Sequence, residues 1–127
     1  MYLYKVKETY IDYLKNEDVR VLDNKKNRPY LGVVLEIEGI DYYVPLSSEK
    51  ESKRVNTQLS MKIKDLKGEV IGYLQFLNMI PVHVDDLITL DVDSIKEIDP
   101  EYYNIIAKEM IFIRKNKYDI IKKAQQV

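Results

Sequence analysis

Two adjacent hydroxyls, Ser47 and Ser48, are followed two residues on by Lys50 and then by Ser52, Lys53 and Arg54. The group stands directly after an apolar run that ends in Pro45-Leu46. Recognition of a phosphate needs hydroxyl and backbone donors beside fixed cations, and this stretch supplies both. A solvated hairpin connection would also be polar, so the composition fits either reading. A second basic run, Lys25-Lys26-Asn27-Arg28, precedes Tyr30 and is either a solvated turn or a partner of the serine loop. The single histidine, His83, lies in the alternating Pro-Val-His-Val stretch and reads as a partly buried structural residue. One histidine excludes the base-and-acid histidine pair of a pancreatic-type ribonuclease. Asp85, Asp86, Asp91 and Asp93 fit neither a calcium loop nor a zinc-binding helix, so they read as a solvated acidic face with some helix N-caps.

These residues need elements to place them. Residues 2–6 suit a first strand, and Tyr10, Tyr13 and Leu14 have the i, i+3, i+4 spacing of a short helix. The polar stretch from Asp23 to Pro29 reads as a loop. Tyr30–Ile37 and Asp41–Leu46 form a hairpin around Glu38-Gly39-Ile40-Asp41. Antiparallel pairing sets the start of one strand beside the end of the other. Arg28, Ser47, Ser48 and Lys50 are therefore expected at one end of the sheet. Alternation at Leu59, Met61 and Ile63 gives another strand, Lys67-Gly68 a turn, and Val70–Leu77 a further strand. Met79–Val84 is a short edge piece carrying Pro81. Asp99-Pro100 then opens a helix with a stripe at Tyr103, Ile106, Met110 and Ile113, broadened by Tyr102, Ile105 and Phe112. Lys108, Arg114, Lys115 and Lys117 load its C-terminal half with cations, and Asn116 breaks it before Tyr118–Ala124. The expected class is α+β: a mostly antiparallel sheet with packing helices.

A chain of 127 residues fits one domain, and a domain of this size buries roughly two-thirds of its unfolded surface. It has no cysteine, which removes disulfides and thiolate metal sites and suits a reducing cytoplasm. No signal-peptide run opens it, and no stretch reaches the ~20 apolar residues that span a bilayer. The net charge of −1 hides a polar distribution, basic over 20–28 and 50–67 and acidic over 84–101. Such a field can hold a polyanion on one side. Eleven tyrosines against two phenylalanines and no tryptophan leave some rings for stacking on unpaired bases, although most are expected to pack. Tyr42 and Tyr43 point to opposite faces of one strand, so at most one of them is core.

The segment from Arg28 to Lys50, with Gly32-Val-Val-Leu-Glu-Ile-Glu-Gly39 and Asp41-Tyr-Tyr-Val-Pro-Leu-Ser-Ser-Glu-Lys50 at its heart, resembles the ToxN/AbiQ endoribonuclease toxins of type III toxin–antitoxin and abortive-infection systems. Tyr10–Lys15, Asn78–Pro81 and Phe112–Asn116 match further pieces in order. The resemblance implies one domain over 1–127, a compact, strongly twisted sheet like that of the MazF and Kid toxins. It also implies sequence-preferring, metal-independent cleavage of single-stranded RNA to 2′,3′-cyclic phosphate and 5′-hydroxyl ends, without a cofactor. The partners implied are target mRNA and a repeated pseudoknot antitoxin RNA, which the toxin trims and with which it forms a closed assembly, with no membrane or DNA involved. Carried across by position, Ser47, Ser48, Lys50 and Arg28 are the expected catalytic residues. Lys25, Lys26, Ser52, Lys53, Arg54, Arg114 and Lys115 are the expected RNA-binding ones. Lys50 serves as a base only if neighbouring cations and burial lower its pKa far below ~10.4, and otherwise stabilises phosphorane charge. Two other readings use the same residues: a noncatalytic RNA-binding module, and a protein adaptor working through the acidic 84–101 face.

Overall fold

The computed structural model describes residues 1–18, 21, 28–48 and 59–127, and of Ser48 the backbone. Strand β1 (Tyr2–Val6) leads into helix α1 (Glu8–Glu17). Strands β2 (Tyr30–Ile37) and β3 (Ile40–Ser48) form the predicted hairpin. Its turn is only Glu38-Gly39, both with positive φ (51° and 81°), because Ile37 already pairs with Ile40. Two left-handed residues give a turn whose twist suits the flanking strands. Strand β4 (Ser60–Lys64) pairs with β5 (Val70–Gln75) around the Lys67-Gly68 turn, and β6 (Ile80–Pro81) pairs with β3 alone. The predicted strand at 70–77 ends early: Phe76–Asn78 forms a single 3-10 turn. Two elements are additions to the sequence reading, β7 (Leu87–Thr89) and helix α2 (Val92–Ile98). Helix α3 (Pro100–Lys115) is capped by Asp99, which accepts from Tyr102 N–H at 3.1 Å. It stops at Asn116, and α4 (Lys117–Gln125) follows.

Among the described residues the strands form one antiparallel seven-stranded sheet in the order β4-β5-β3-β2-β1-β7, with β6 beside β3. Strand β3 joins its two parts. Tyr42 and Tyr43 pair with β6, whereas Leu46, Ser47 and Ser48 pair with Leu74, Tyr73 and Gly72 of β5. Period-2 alternation sends side chains to two separate cores. Leu3, Leu31, Val44, Leu46 and Leu74 pack on one face with Ile106 and Ile113 of α3 and Ile120 and Ala124 of α4. Val6, Tyr30, Tyr43 and Ile80 pack on the other with Ile11 of α1. Tyr43 is core and Tyr42 only half-buried, as the alternation required. A β-carbon on Gly32 would lie 2.1 Å from the Tyr43 ring, so only glycine fits beneath it. The predicted helical stripe is narrower than expected, since Ile105 is exposed and Glu109 takes a buried place. No described helix is long and apolar enough to cross a membrane.

Candidate functional site at the open end of the hairpin

The register fixes what meets at the open end of the β2–β3 hairpin. Tyr30 pairs with Pro45, and Leu46 N–H donates to the Pro29 carbonyl at 3.0 Å. That pairing draws Arg28 onto the end of β3, where its Nη1 donates to the Leu46 carbonyl at 2.8 Å. The guanidinium is almost entirely buried, at 5% exposure. Ser47 is equally buried, and its Oγ accepts from Gln75 Nε2 at 2.8 Å. Arg28, Ser47 and the backbone of Ser48 thus stand together at one end of the sheet, where the hairpin geometry required them. The burial carries a further point: Arg28 and Ser47 lie under the surface and shape it, held by the carbonyl and amide they engage. Of the other predicted residues, the Ser48 side chain and Lys25, Lys26, Lys50, Ser52, Lys53 and Arg54 lie outside what the structure describes.

Beyond β3 the same end of the sheet continues into a basic groove. Ser48 pairs with Gly72, Gly72 with Ile63, and Lys64 comes next on β4. The groove, about 570 Å³, runs between the β4–β5 turn and α3 and is lined by Lys64, Lys67, Lys108 and Lys115 over Ile111 and Phe112. Asp65 and Glu69 also belong to its wall, and Asp65 is engaged, accepting from the backbone N–H groups of Lys67 and Glu69. Arg114 and Lys115, predicted as a pair, diverge because adjacent helical residues are about 100° apart. Arg114 lines a different cleft with Tyr2, Tyr4 and Tyr103.

His83 corrects its sequence reading. It is exposed, lies outside any strand, and its Nδ1 accepts from Asp85 N–H at 3.2 Å at the start of a 3-10 turn. The acidic stretch behaves as caps: Asp91 accepts from the Ser94 backbone and hydroxyl, and these bonds hold its carboxyl below the usual range.

Two buried acidic groups were missed by sequence. Glu109 of α3 is 4% exposed, and burial pushes its carboxyl up to about 8. Its Oε2 would lie 2.9 Å from a β-carbon on Gly72, the register partner of Ser48. The signal existed: position 109 is i+3 from Ile106 and i−4 from Ile113, within the apolar stripe. Tyr30, beside Arg28 in sequence, buries its hydroxyl with no hydrogen-bond partner among the described residues. Burial pushes that phenol up to about 12, against a smaller opposing pull from Arg28.

A family model described as the toxin ToxN of type III toxin–antitoxin systems matches residues 2–127. The chain is 38% identical over 121 residues to the endoribonuclease ToxN of Bacillus thuringiensis subsp. kurstaki, covering 93% of this chain and 62% of that protein. It is 30% identical to the endoribonuclease AbiQ of Lactococcus lactis subsp. lactis, covering 98% of this chain and 72% of that one. A solved structure from work on selective toxin inhibition by a non-coding RNA pseudoknot superposes with a TM-score of 0.89 at 35% identity, over 98% of this chain and 75% of the other. The structure of AbiQ, a lactococcal anti-phage endoribonuclease of a type III system, gives 0.83 at 27% identity, over 97% and 77%. The chain therefore spans about three-fifths of the length of the Bacillus relative.

Proposed function

Because the chain belongs to the ToxN toxin family of type III toxin–antitoxin systems, we propose that it is a sequence-preferring, metal-independent endoribonuclease toxin of single-stranded RNA. The observation that carries this is the gathering of Arg28, Ser47 and the Ser48 backbone at one sheet end in a chain 38% identical to a named endoribonuclease. The proposed domain is residues 1–127, acting in the cytoplasm on mRNA as part of phage defence. Its second partner is a repeated pseudoknot antitoxin RNA, which it trims and which inhibits it within a closed assembly. The pseudoknot inhibition described for the similar solved structure supports that partner.

The proposed reaction is a transesterification. The ribose 2′-oxygen gives up its proton and attacks phosphorus, and a phosphorane forms. The bond to the 5′-oxygen then breaks, and that oxygen gains a proton. The products are a 2′,3′-cyclic phosphate and a 5′-hydroxyl, with no water consumed. Ser48 and Lys50 are the proposed groups on the scissile phosphate, Ser48 holding it and the Lys50 ammonium stabilising phosphorane charge. Arg28 and Ser47, both buried, set the position of that strand end, and the Arg28 guanidinium adds positive potential from beneath. The basic groove lined by Lys64, Lys67, Lys108 and Lys115 supports a path for the RNA backbone away from the cut. Lys25, Lys26, Ser52, Lys53, Arg54 and Arg114 complete the proposed RNA-binding set.

Incubation with total RNA in EDTA, followed by mapping of new ends, tests the reading against a noncatalytic RNA-binding module. The wild type should cut, and Lys50→Ala should cut at least ~100-fold more slowly while still binding RNA. A wild type that binds RNA and yields no new ends refutes the enzyme.

A further inference from the structure

The carboxyl of Glu109 sits where Gly72 has no side chain, in the layer between α3 and the sheet. A β-carbon on Gly72 would lie 2.9 Å from Glu109 Oε2 and 3.0 Å from the Ser47 carbonyl oxygen. One missing methyl group thus opens a gap bordered by both oxygens. Among the described residues no hydrogen bond or ion pair reaches the carboxyl, although the side chain is 96% buried (4% exposed). Burial of a carboxyl penalises its charged form.

Its surroundings are apolar or solvent-facing. Ile63 of β4 approaches the same gap, and the nearest wall from β3 is the Ser47 carbonyl. On α3 itself the half-buried Tyr102 phenol is raised first by burial and then by the charge of Glu109. Lys62 and Lys64 of β4 and Lys108 of α3 are exposed. Across that gap a protonated carboxyl is a donor toward the Ser47 carbonyl oxygen, whereas a carboxylate has no proton to give.

We propose that Glu109 is a positioning residue for the strand end that bears Ser47 and Ser48, steadying it in the protonated state and loosening it when the proton leaves. The proposal rests on the endoribonuclease reading for its catalytic consequence, but its structural half stands alone. The Gly72 gap supplies the route, and the Ser47 carbonyl is the part of the strand that responds. Burial, which pushes this carboxyl up to about 8, sets the change within the range where the protein is handled.

Two measurements test this. The first follows cleavage of a labelled oligoribonucleotide, spanning a cut mapped in total RNA, from pH 6.5 to 9.5. Wild-type rates should fall about tenfold per pH unit above about 8. Glu109→Gln keeps a donor at every pH and should lose that falling limb, whereas Glu109→Ala should be slow throughout. An alkaline limb unchanged in Glu109→Gln overturns the proposal. The second reads amide hydrogen exchange over 46–48 in RNA-free protein, corrected for intrinsic base catalysis. Protection should drop above pH 8 in the wild type and persist in Glu109→Gln, and an equal drop in both overturns the proposal. A wild type that cuts no RNA defeats the proposed function instead, and the exchange measurement then decides the role of Glu109 alone.

Discussion

On each face of the sheet an acidic group is buried, and the two behave differently. On the α3 face it is the Glu109 carboxyl; on the α1 face it is the Tyr30 hydroxyl, 0% exposed. Burial acts on both in the same direction, because it penalises the charged form of an acid. The starting points differ. A phenol at 10.0 raised to about 12 never ionises in ordinary buffer, so Tyr30 stays neutral and its cost is a hydroxyl unmet by the described residues. A carboxyl at 4.5 raised to about 8 crosses neutrality, so Glu109 couples the fold to pH. The same desolvation therefore makes a constant penalty on one face and a titratable one on the other.

The largest expected effect lies on the α3 face. Below about 4.5 both folded and unfolded chains hold the Glu109 proton; between there and about 8 only the folded chain does. Unfolding then releases a proton, so stability falls as pH rises through that window, by on the order of 1 kcal/mol per pH unit, and levels off above it. Glu109→Gln should remove this slope, gaining several kcal/mol over the wild type at pH 8.5 and little at pH 5 in urea denaturation. Parallel stability–pH curves for the two proteins would erase the contrast between the faces.

The next effect compares the glycines. A β-carbon on Gly32 would meet the rigid Tyr43 ring at 2.1 Å, whereas one on Gly72 would meet the tip of the Glu109 side chain at 2.9 Å. Gly32→Ala should cost about 3 kcal/mol or more in equilibrium unfolding, above Gly72→Ala, because an aromatic ring packed in a core yields less than a carboxyl end. The reverse order would show the Ser47 backbone to be the stiffer wall.

The smallest concerns Tyr30→Phe. Removing a hydroxyl that finds no partner should leave stability unchanged or raise it by about 1 kcal/mol, with no pH dependence between 5 and 9. A loss of more than that in thermal or urea unfolding would mean that the hydroxyl is satisfied in the folded protein.

Much of the architecture was legible because its signals are local. The residues of β2, the Lys67-Gly68 turn, the Asp99-Pro100 helix start and the Asn116 break each follow from short patterns. The short elements were not legible. Leu87–Thr89 is three residues long, and Val92–Ile98 buries none of its residues, so neither repeats an apolar period long enough to register. Phe76 looked like a strand residue and is the first residue of a 3-10 turn because tertiary packing, at 0% exposure, decided its place. For the site, sequence placed Arg28 and Ser47 at the same sheet end, but it did not say that both are buried. That depends on Gln75 and the Leu46 carbonyl, 28 and 18 residues away. Glu109 escaped because a charged letter in an apolar stripe reads as surface until Gly72 is known to leave it room.

The pairing of Ser48 with Gly72, with Glu109 behind them, also fixes a chronology. A nascent chain emerging from a ribosome owns its serines long before it owns the opposite strand or the helix that backs it. None of these walls can stand until residue 72 is in place, and the last needs residue 109. A cell making this protein therefore meets the finished pocket only after residue 109 has been made.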